Sequence, residues 1–146
     1  MNEYRDKCHI IEQEVDGIGP WLWPLEDWEG FRWSSEDWVT SKEDWLKHVK
    51  HKGVCVQAGG LCGMYPRLLS EHFEVVYTFE PDGLSYYCLV NNCQVDNIIK
   101  SQAALGKSSG MVHTLVGPGG PTNRGMNRVI EAVDGKIPMT TIDSLK

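Results

Sequence analysis

Residues 54–63 read VCVQAGGLCG, a short apolar segment followed by a glycine-rich turn. The apolar residues 54–56 predict a β-strand, because β-branched side chains suit a pleated, buried surface. Gly59 and Gly63 can adopt positive φ and let a ligand approach the backbone closely. A helix predicted over residues 64–73 would present free backbone N–H groups in its first turn. By itself, such a turn fits a strand-to-helix connection without a ligand equally well.

The same alternation continues along the chain. Residues 75–79 (VVYTF) predict a second strand, residues 84–93 a second helix and residues 98–103 a third strand. Strands and helices in this order and spacing are typical of a parallel sheet with crossover helices. Right-handed crossovers place the carboxyl ends of all three strands at one edge. We therefore predict an α/β, Rossmann-like fold.

The segments on either side of this unit differ from it. Five of the six tryptophans precede residue 41, among repeated glycines and prolines that predict an irregular arm packed on the domain by its indoles. Ser41 is expected to begin a helix that ends at Gly53. Residues 111–116, 129–132 and 137–142 predict an antiparallel C-terminal addition.

The sequence thus predicts two parts. Residues 1–52 form a Trp-rich arm and leading helix. Residues 53–146 form a partial Rossmann-like domain.

Charge, apolar runs and cysteine spacing predict the partners and the location of the chain. The formal net charge is −6 and no concentrated basic face is evident, so no nucleic-acid partner is expected. No apolar run approaches the ~20 residues of a membrane span, and the charged N-terminus is unlike a secretory signal. A cytoplasmic location without a membrane partner is expected. The five cysteines include no C-x-x-C pair, so we predict reduced thiols and no metal site.

Glu80 supplies a second chemical signal. It follows the second predicted strand, about twenty residues after the glycine turn, where an acid can accept hydrogen bonds from both hydroxyls of a ribose. Its other interpretation is a helix-capping or solvent-facing carboxylate. The G-x-G-x-x-G pattern of dinucleotide sites is absent, which favours another adenosine-type cofactor.

Three segments carry a family resemblance: QAGGLCGMY from Gln57, FEPDGLSYYCLVNN from Phe79 and ALG from Ala104. They resemble the motifs of the FkbM-type family of class I S-adenosylmethionine-dependent methyltransferases. The likeness extends over residues 54–145, and its most discriminating part is F-E-P-x-x-x-x-[FY]-x-x-L-x-x-N. It implies S-adenosylmethionine as the cofactor.

The resemblance also implies which residues contact the cofactor: Gln57, Gly59, Gly60, Gly63, Glu80, Pro81, Asp82 and Ala104. In this assignment the glycines form the turn, Glu80 holds the ribose and the last three residues border the adenine. Asn92 steadies the second helix. The sequence departs from the family pattern at Gln57, where an acid is usual, at Leu61, where Asn is usual, and at Gly83, where Pro is usual. No catalytic residue is assigned.

The implied reaction is methyl transfer, expected to an oxygen of a small molecule or sugar. The family's fourth-strand region, I-D-x-E-G, has no counterpart before Lys146. We therefore expect the strand at 54–56 to be covered either by the predicted C-terminal strands, here called the tail strands, or by the second chain of a homodimer. Strand edges without a neighbour are rare in proteins. The alternative function is a non-catalytic, cofactor-binding or oligomerising remnant of such a domain.

Overall fold

A computed structural model describes residues 3–145. Within this range the chain forms three α-helices and nine strands, in the order β1 (Cys8–Ile11), β2 (Trp21–Pro24), α1 (Trp28–Leu46), β3 (Val54–Ala58), α2 (Met64–Leu69), β4 (Val75–Phe79), α3 (Gly83–Asn92), β5 (Ile98–Ser101), β6 (Ala104–Leu105), β7 (Gly110–Leu115), β8 (Arg128–Glu131) and β9 (Ile137–Thr140).

The predicted parallel sheet is confirmed. Strands β3, β4 and β5 lie side by side in that order, all parallel. Ala58 pairs with Phe79, and Phe79 with Ser101, so the three carboxyl ends meet at one edge. Helices α2 and α3 are the crossovers. Helix α2 stops at Leu69, earlier than predicted, and the chain then turns into β4.

The N-terminal arm is more regular than the sequence predicted. Strands β1 and β2 form an antiparallel hairpin, and α1 spans 19 residues. The predicted helix start at Ser41 is wrong, because Ser41 lies inside α1 and its hydroxyl donates to the carbonyl of Asp37. Phe31 and Trp38, seven residues apart, form the buried stripe of α1. The exposed Trp28 and Trp33 interrupt that pattern in the sequence.

Three of the arm's indoles reach the core. Trp21, Trp23 and Trp38 are fully buried in one cluster with residues of α2 and α3, as the packing prediction requires. Trp28 and Trp33, by contrast, are 57% and 53% exposed. The indoles therefore attach the arm to the parallel sheet unit, while the division at residues 52 and 53 stays a prediction.

The C-terminal strands form a second sheet of their own, ordered β6-β9-β7-β8. Strand β7 is antiparallel to both β8 and β9, which confirms the predicted antiparallel addition, and the short β6 runs parallel to β9. A small separate cluster of Ala104, Val112 and Met139 forms its interior.

The expected cover over β3 is absent. Among residues 3–145 no strand pairs with the outer edge of β3, and Val54 is 62% exposed. The prediction that the tail strands fold back over this edge is wrong, because they pair with one another instead. Within the described residues, β3 is therefore an edge strand of the parallel sheet.

Asp27 joins the arm to the tail. Its side chain is completely buried and sits at the N-terminal end of α1. One carboxylate oxygen accepts from the indole N–H of Trp23 at 3.0 Å, and the other from the backbone N–H of Arg124 at 2.7 Å. Burial raises the pKa of Asp27 to about 6, although these donors favour its charged form.

Replacing Asp27 with alanine should lower the free energy of unfolding by about 1–3 kcal/mol, since the backbone N–H of Arg124 and the indole N–H of Trp23 each lose a carboxylate acceptor. Urea unfolding measures this. Glu36→Ala, at an exposed position of α1, is the matched control and should stay within about 0.5 kcal/mol of wild type. Equal stabilities of the two variants would show that Asp27 does not fasten the segments.

Candidate cofactor site

The candidate site lies at the carboxyl ends of β3 and β4. The glycine turn follows β3, and Glu80 follows β4 directly. The backbone N–H groups of Gly59 and Gly60 both donate to the carbonyl of Phe79, at 2.8 and 2.9 Å. The turn is therefore fastened to the end of the neighbouring strand, which brings the two predicted motifs into contact.

The turn needs its glycines for two different reasons. Gly59 and Gly63 have φ of +75° and +89°, which only glycine adopts without strain. Gly60 is needed for space, because a Cβ there would lie 2.4 Å from a methyl carbon of Leu89. Leu61 has φ of +47°, in the left-handed region where Asn is favoured over Leu. The departure from the family's Asn thus falls at a position whose backbone suits Asn.

Glu80 is buried and held by the backbone. Its two carboxylate oxygens accept from the N–H groups of Leu61 and Asp82, each at 2.8 Å. Only 7% of the residue is exposed, and burial raises its pKa to about 7 against the opposing effect of these hydrogen bonds. Each oxygen keeps a lone pair that a ligand hydroxyl could use. The solvent-facing interpretation of Glu80 is excluded by its burial.

Gln57 bridges the turn and β4. Its amide N–H donates to the carbonyl of Gly59 at 2.8 Å, and its amide oxygen accepts from the hydroxyl of Thr78 at 2.6 Å. A carboxylate at this position has no N–H to donate to the Gly59 carbonyl. Gln57 therefore makes a hydrogen bond to the turn that the acid usual in the resembled family could not make.

Asp82 and Arg124 form an ion pair beside Glu80. Asp82 caps α3 by accepting from Ser85 N–H at 2.9 Å, and it contacts the Arg124 guanidinium at 2.6 Å. Burial opposes ionisation of Asp82, but the hydrogen bonds from Arg124 and Ser85 outweigh it and lower the pKa. Sequence reasoning missed Arg124, because it lies in a loop without periodicity.

Residues 117–127, here named the cover segment, lie over this edge of the sheet. A cavity of about 280 Å³ opens beside the glycine turn and Tyr65, and one of about 100 Å³ lies between Glu80 and Arg124. Leu61 and Gly125 line both cavities. The cover segment therefore borders the space that a ligand at the turn and at Glu80 would share.

The structure brings together most of the predicted residues but separates one. Gln57, Gly59, Gly60, Glu80, Pro81 and Asp82 line the cavities at this edge. Gly63 lines neither cavity and packs against Leu89 and Cys93. Ala104 is buried in the second cluster with Val112 and Met139.

Asn92 does more than steady its own helix. Its side-chain oxygen accepts from Leu22 N–H at 2.7 Å, and its amide donates to the carbonyls of Leu22 and Cys62. It thereby ties the arm to the glycine turn.

Two further features bear on ligands and location. Within residues 3–145, no group of three or more His, Cys, Asp or Glu side chains is arranged to hold a metal ion. The helices described in that range include none with the length and apolar character required to cross a bilayer.

No protein-family model matches the sequence, and neither does any curated protein. Among solved structures, Trm5b from Pyrococcus abyssi has a similar fold, with a TM-score of 0.50 and 16% sequence identity. The match covers 63% of this chain and 27% of that protein. The likeness supports the Rossmann-like α/β fold, while the FkbM-type assignment stays a prediction.

This comparison corrects the expectation about partners. Trm5b is a tRNA methyltransferase, which contradicts our expectation of a small-molecule or sugar acceptor without any nucleic acid. The charge argument was too broad. A net charge of −6 describes the chain as a whole and does not give the charge of any local surface.

Gly60→Ala should destabilise the fold by about 1–3 kcal/mol, because the new methyl group meets Leu89 and the Thr78 hydroxyl in a packed region. Gly53→Ala is the control, since a Cβ at Gly53 meets no atom within 4 Å. Thermal and urea unfolding of both variants measure the difference. Equal stabilities would contradict the close packing of the turn against α3.

The pKa of Glu80 predicts a pH effect on stability. Because its folded-state pKa of about 7 exceeds the ordinary 4.5, the folded protein binds this proton more tightly. The contribution of Glu80 to the free energy of unfolding is therefore greatest at low pH and is lost as the pH rises from about 4.5 to 7. Its size across that range should be roughly 2–3 kcal/mol.

Urea unfolding of wild type and Glu80→Gln across this pH range isolates the effect, since Asp27 titrates in both proteins. The stability of Glu80→Gln relative to wild type should improve as the pH rises. A constant difference between the two proteins would mean that Glu80 ionises in the folded state as it does in water.

Proposed function

We propose that this chain is the cofactor-binding part of an S-adenosylmethionine-dependent methyltransferase. The observation that carries the proposal is the buried Glu80 carboxylate, fixed by the N–H groups of Leu61 and Asp82 beside an open glycine turn. This arrangement lies at the carboxyl edge of a parallel sheet, where ligands of open α/β folds bind. The methyltransferase fold of the structural neighbour supports the same cofactor.

The donor set fits the cofactor. Glu80 would accept hydrogen bonds from the ribose hydroxyls. Gly59, where a Cβ would meet open space, would let the cofactor approach the backbone. Pro81 and Asp82 would border the adenine, and Gln57 would remain the brace of the turn. Ala104 is left out, because its side chain belongs to the second cluster.

The chain's own contribution to catalysis would be positioning. When bound, S-adenosylmethionine supplies an activated methyl group, and the protein has to align it with an acceptor and exclude water. Glu80 and the glycine turn would fix one reactant. The cover segment, held by Arg124 on Asp82, would shield the same space from solvent.

The acceptor would approach between α1 and the glycine turn. A cavity of about 360 Å³ there is lined by the exposed Trp33 and Asp37 and by the half-buried Tyr65. Leu61 and Gly125 line this cavity as well as the two cavities of the cofactor site. The Tyr65 hydroxyl donates to the Asp37 carboxylate. This wall offers a flat aromatic face and a negative charge to an incoming group.

A second candidate function is cofactor binding without methyl transfer. It is favoured by Gln57, which places a neutral amide, bonded to Gly59 and Thr78, at the position where the resembled family has an acid. The first function and this one share the same cofactor contacts and differ only in turnover.

Calorimetry with S-adenosylhomocysteine tests the cofactor site. The wild-type protein should bind, and Glu80→Ala should bind about 5–150 times more weakly, the effect of losing a charged hydrogen-bond acceptor. Glu74→Ala is the matched control, because Glu74 is exposed and precedes β4, whereas Glu80 follows it. Equal affinity of the two variants would remove Glu80 from the site. NAD binding more tightly than S-adenosylhomocysteine would refute the cofactor assignment.

Labelled methyl transfer separates the two functions. Incubation with methyl-labelled S-adenosylmethionine and total tRNA tests the acceptor class of the structural neighbour. Labelled tRNA, reduced in Glu80→Ala and unchanged in Glu74→Ala, would support methyl transfer. Cofactor binding without labelled tRNA would favour the non-catalytic function for this acceptor class.

A further inference from the structure

Three cysteine thiols form a chain through the interior of the arm and sheet. Cys8 lies on β1, Cys88 on α3 and Cys62 in the glycine turn. The sulfur atoms of Cys8 and Cys88 are 3.4 Å apart, although the two residues are 80 positions apart in sequence. The thiol of Cys62 also interacts with that of Cys88. All five cysteines are free thiols in this structure.

From this contact we infer that Cys8 and Cys88 are a dithiol site, which a hydroperoxide oxidises to a disulfide between β1 and α3. The two elements already lie in fixed positions, because α3 is bonded to β2, the partner of β1 in the hairpin. The Asn92 side chain on α3 accepts from the backbone N–H of Leu22 and donates to its carbonyl. The sulfurs must approach only from 3.4 Å to the ~2.05 Å of a disulfide, which side-chain rotation and a small backbone shift can supply.

The reaction balances with hydrogen peroxide as the oxidant. Cys8 is half-buried and Cys88 is fully buried, so Cys8 is the sulfur that peroxide can reach. The Cys8 sulfur attacks a peroxide oxygen, the O–O bond breaks and water leaves, giving a sulfenic acid. The Cys88 sulfur then attacks Cys8, the S–O bond breaks and a second water leaves with the Cys88 proton. Two thiols are oxidised and one peroxide is reduced.

The surroundings favour Cys88 as the second sulfur. A hydrogen bond from Cys62 lowers the pKa of the Cys88 thiol, which favours Cys88 as the thiolate that attacks the Cys8 sulfenic acid. Burial raises the pKa of Cys8, so its first reaction with peroxide is slow and depends on its access to solvent. Cys62 itself is completely buried within the tightly bonded turn. The disulfide would therefore tie the hairpin to α3 rather than the turn to α3.

Oxidation of the full chain with hydrogen peroxide tests this site. Titratable thiols under denaturing conditions should fall from five to three per chain. Mass spectrometry of a non-reducing digest should find the peptide of Cys8 joined to that of Cys88. Closing this long loop should raise Tm by about 5–10 °C, and a reducing agent should reverse the rise.

Two variants make the test specific. Cys8→Ser should lose the cross-link and the rise in Tm. Cys55→Ser should keep both, since Cys55 is another half-buried thiol but has no sulfur contact among the described residues. A Cys62–Cys88 cross-link, oxidation of Cys8 without a partner, or unchanged Tm after oxidation would each overturn the proposal. None of these readouts depends on S-adenosylmethionine binding.

Discussion

The candidate site depends on the way in which the ends of β3 and β4 are fastened together. The Phe79 carbonyl accepts from Gly59 and Gly60, and one residue later the Glu80 carboxylate accepts from Leu61. These bonds use the N–H groups of Gly59, Gly60 and Leu61, and Gly59 and Leu61 have positive φ. The same bonds bury Glu80, whose raised pKa records the cost of placing a carboxyl group there. The same hydrogen bonds between the glycine turn and the end of β4 thus set both the shape of the turn and the position of the Glu80 carboxyl group.

The arm and the tail both act on this edge of the sheet. On the side of the arm, the amide of Asn92 in α3 donates to the carbonyl of Leu22 in β2. The same amide donates to the carbonyl of Cys62 in the glycine turn. From the tail, Arg124 meets two carboxyl groups, Asp82 through its guanidinium and Asp27 through its backbone N–H. Buried carboxyl groups that lack partners are costly, so each fixes the segment that satisfies it. The arm is therefore part of the site's support.

The functional conclusion rests on the edge of the sheet and on the fold. The likeness to Trm5b concerns the fold, and the chain matches 27% of that protein, so the acceptor has to be identified by experiment. Our expectation of no nucleic-acid partner failed because it was drawn from net charge, a property of a whole chain, whereas nucleic-acid binding depends on local surfaces. The buried acid, the glycine turn and the adjoining cavities are local features, and they support the proposed cofactor independently of the acceptor.

The sequence by itself determined the parallel sheet and the two motifs that meet in the candidate cofactor site. Alternating apolar strands and helices report local periodicity, and glycines with an acid at strand ends report local chemistry, so residues 54–103 were predictable. Helix α1 was not, because its exposed indoles at Trp28 and Trp33 hide the buried stripe. Only the tertiary structure decided that Arg124 reaches Asp82 and Asp27, 42 and 97 positions away. It also decided that Cys8 meets Cys88 and that the tail strands leave β3 uncovered. Contacts between distant segments depend on how complete elements pack, and no local pattern encodes them.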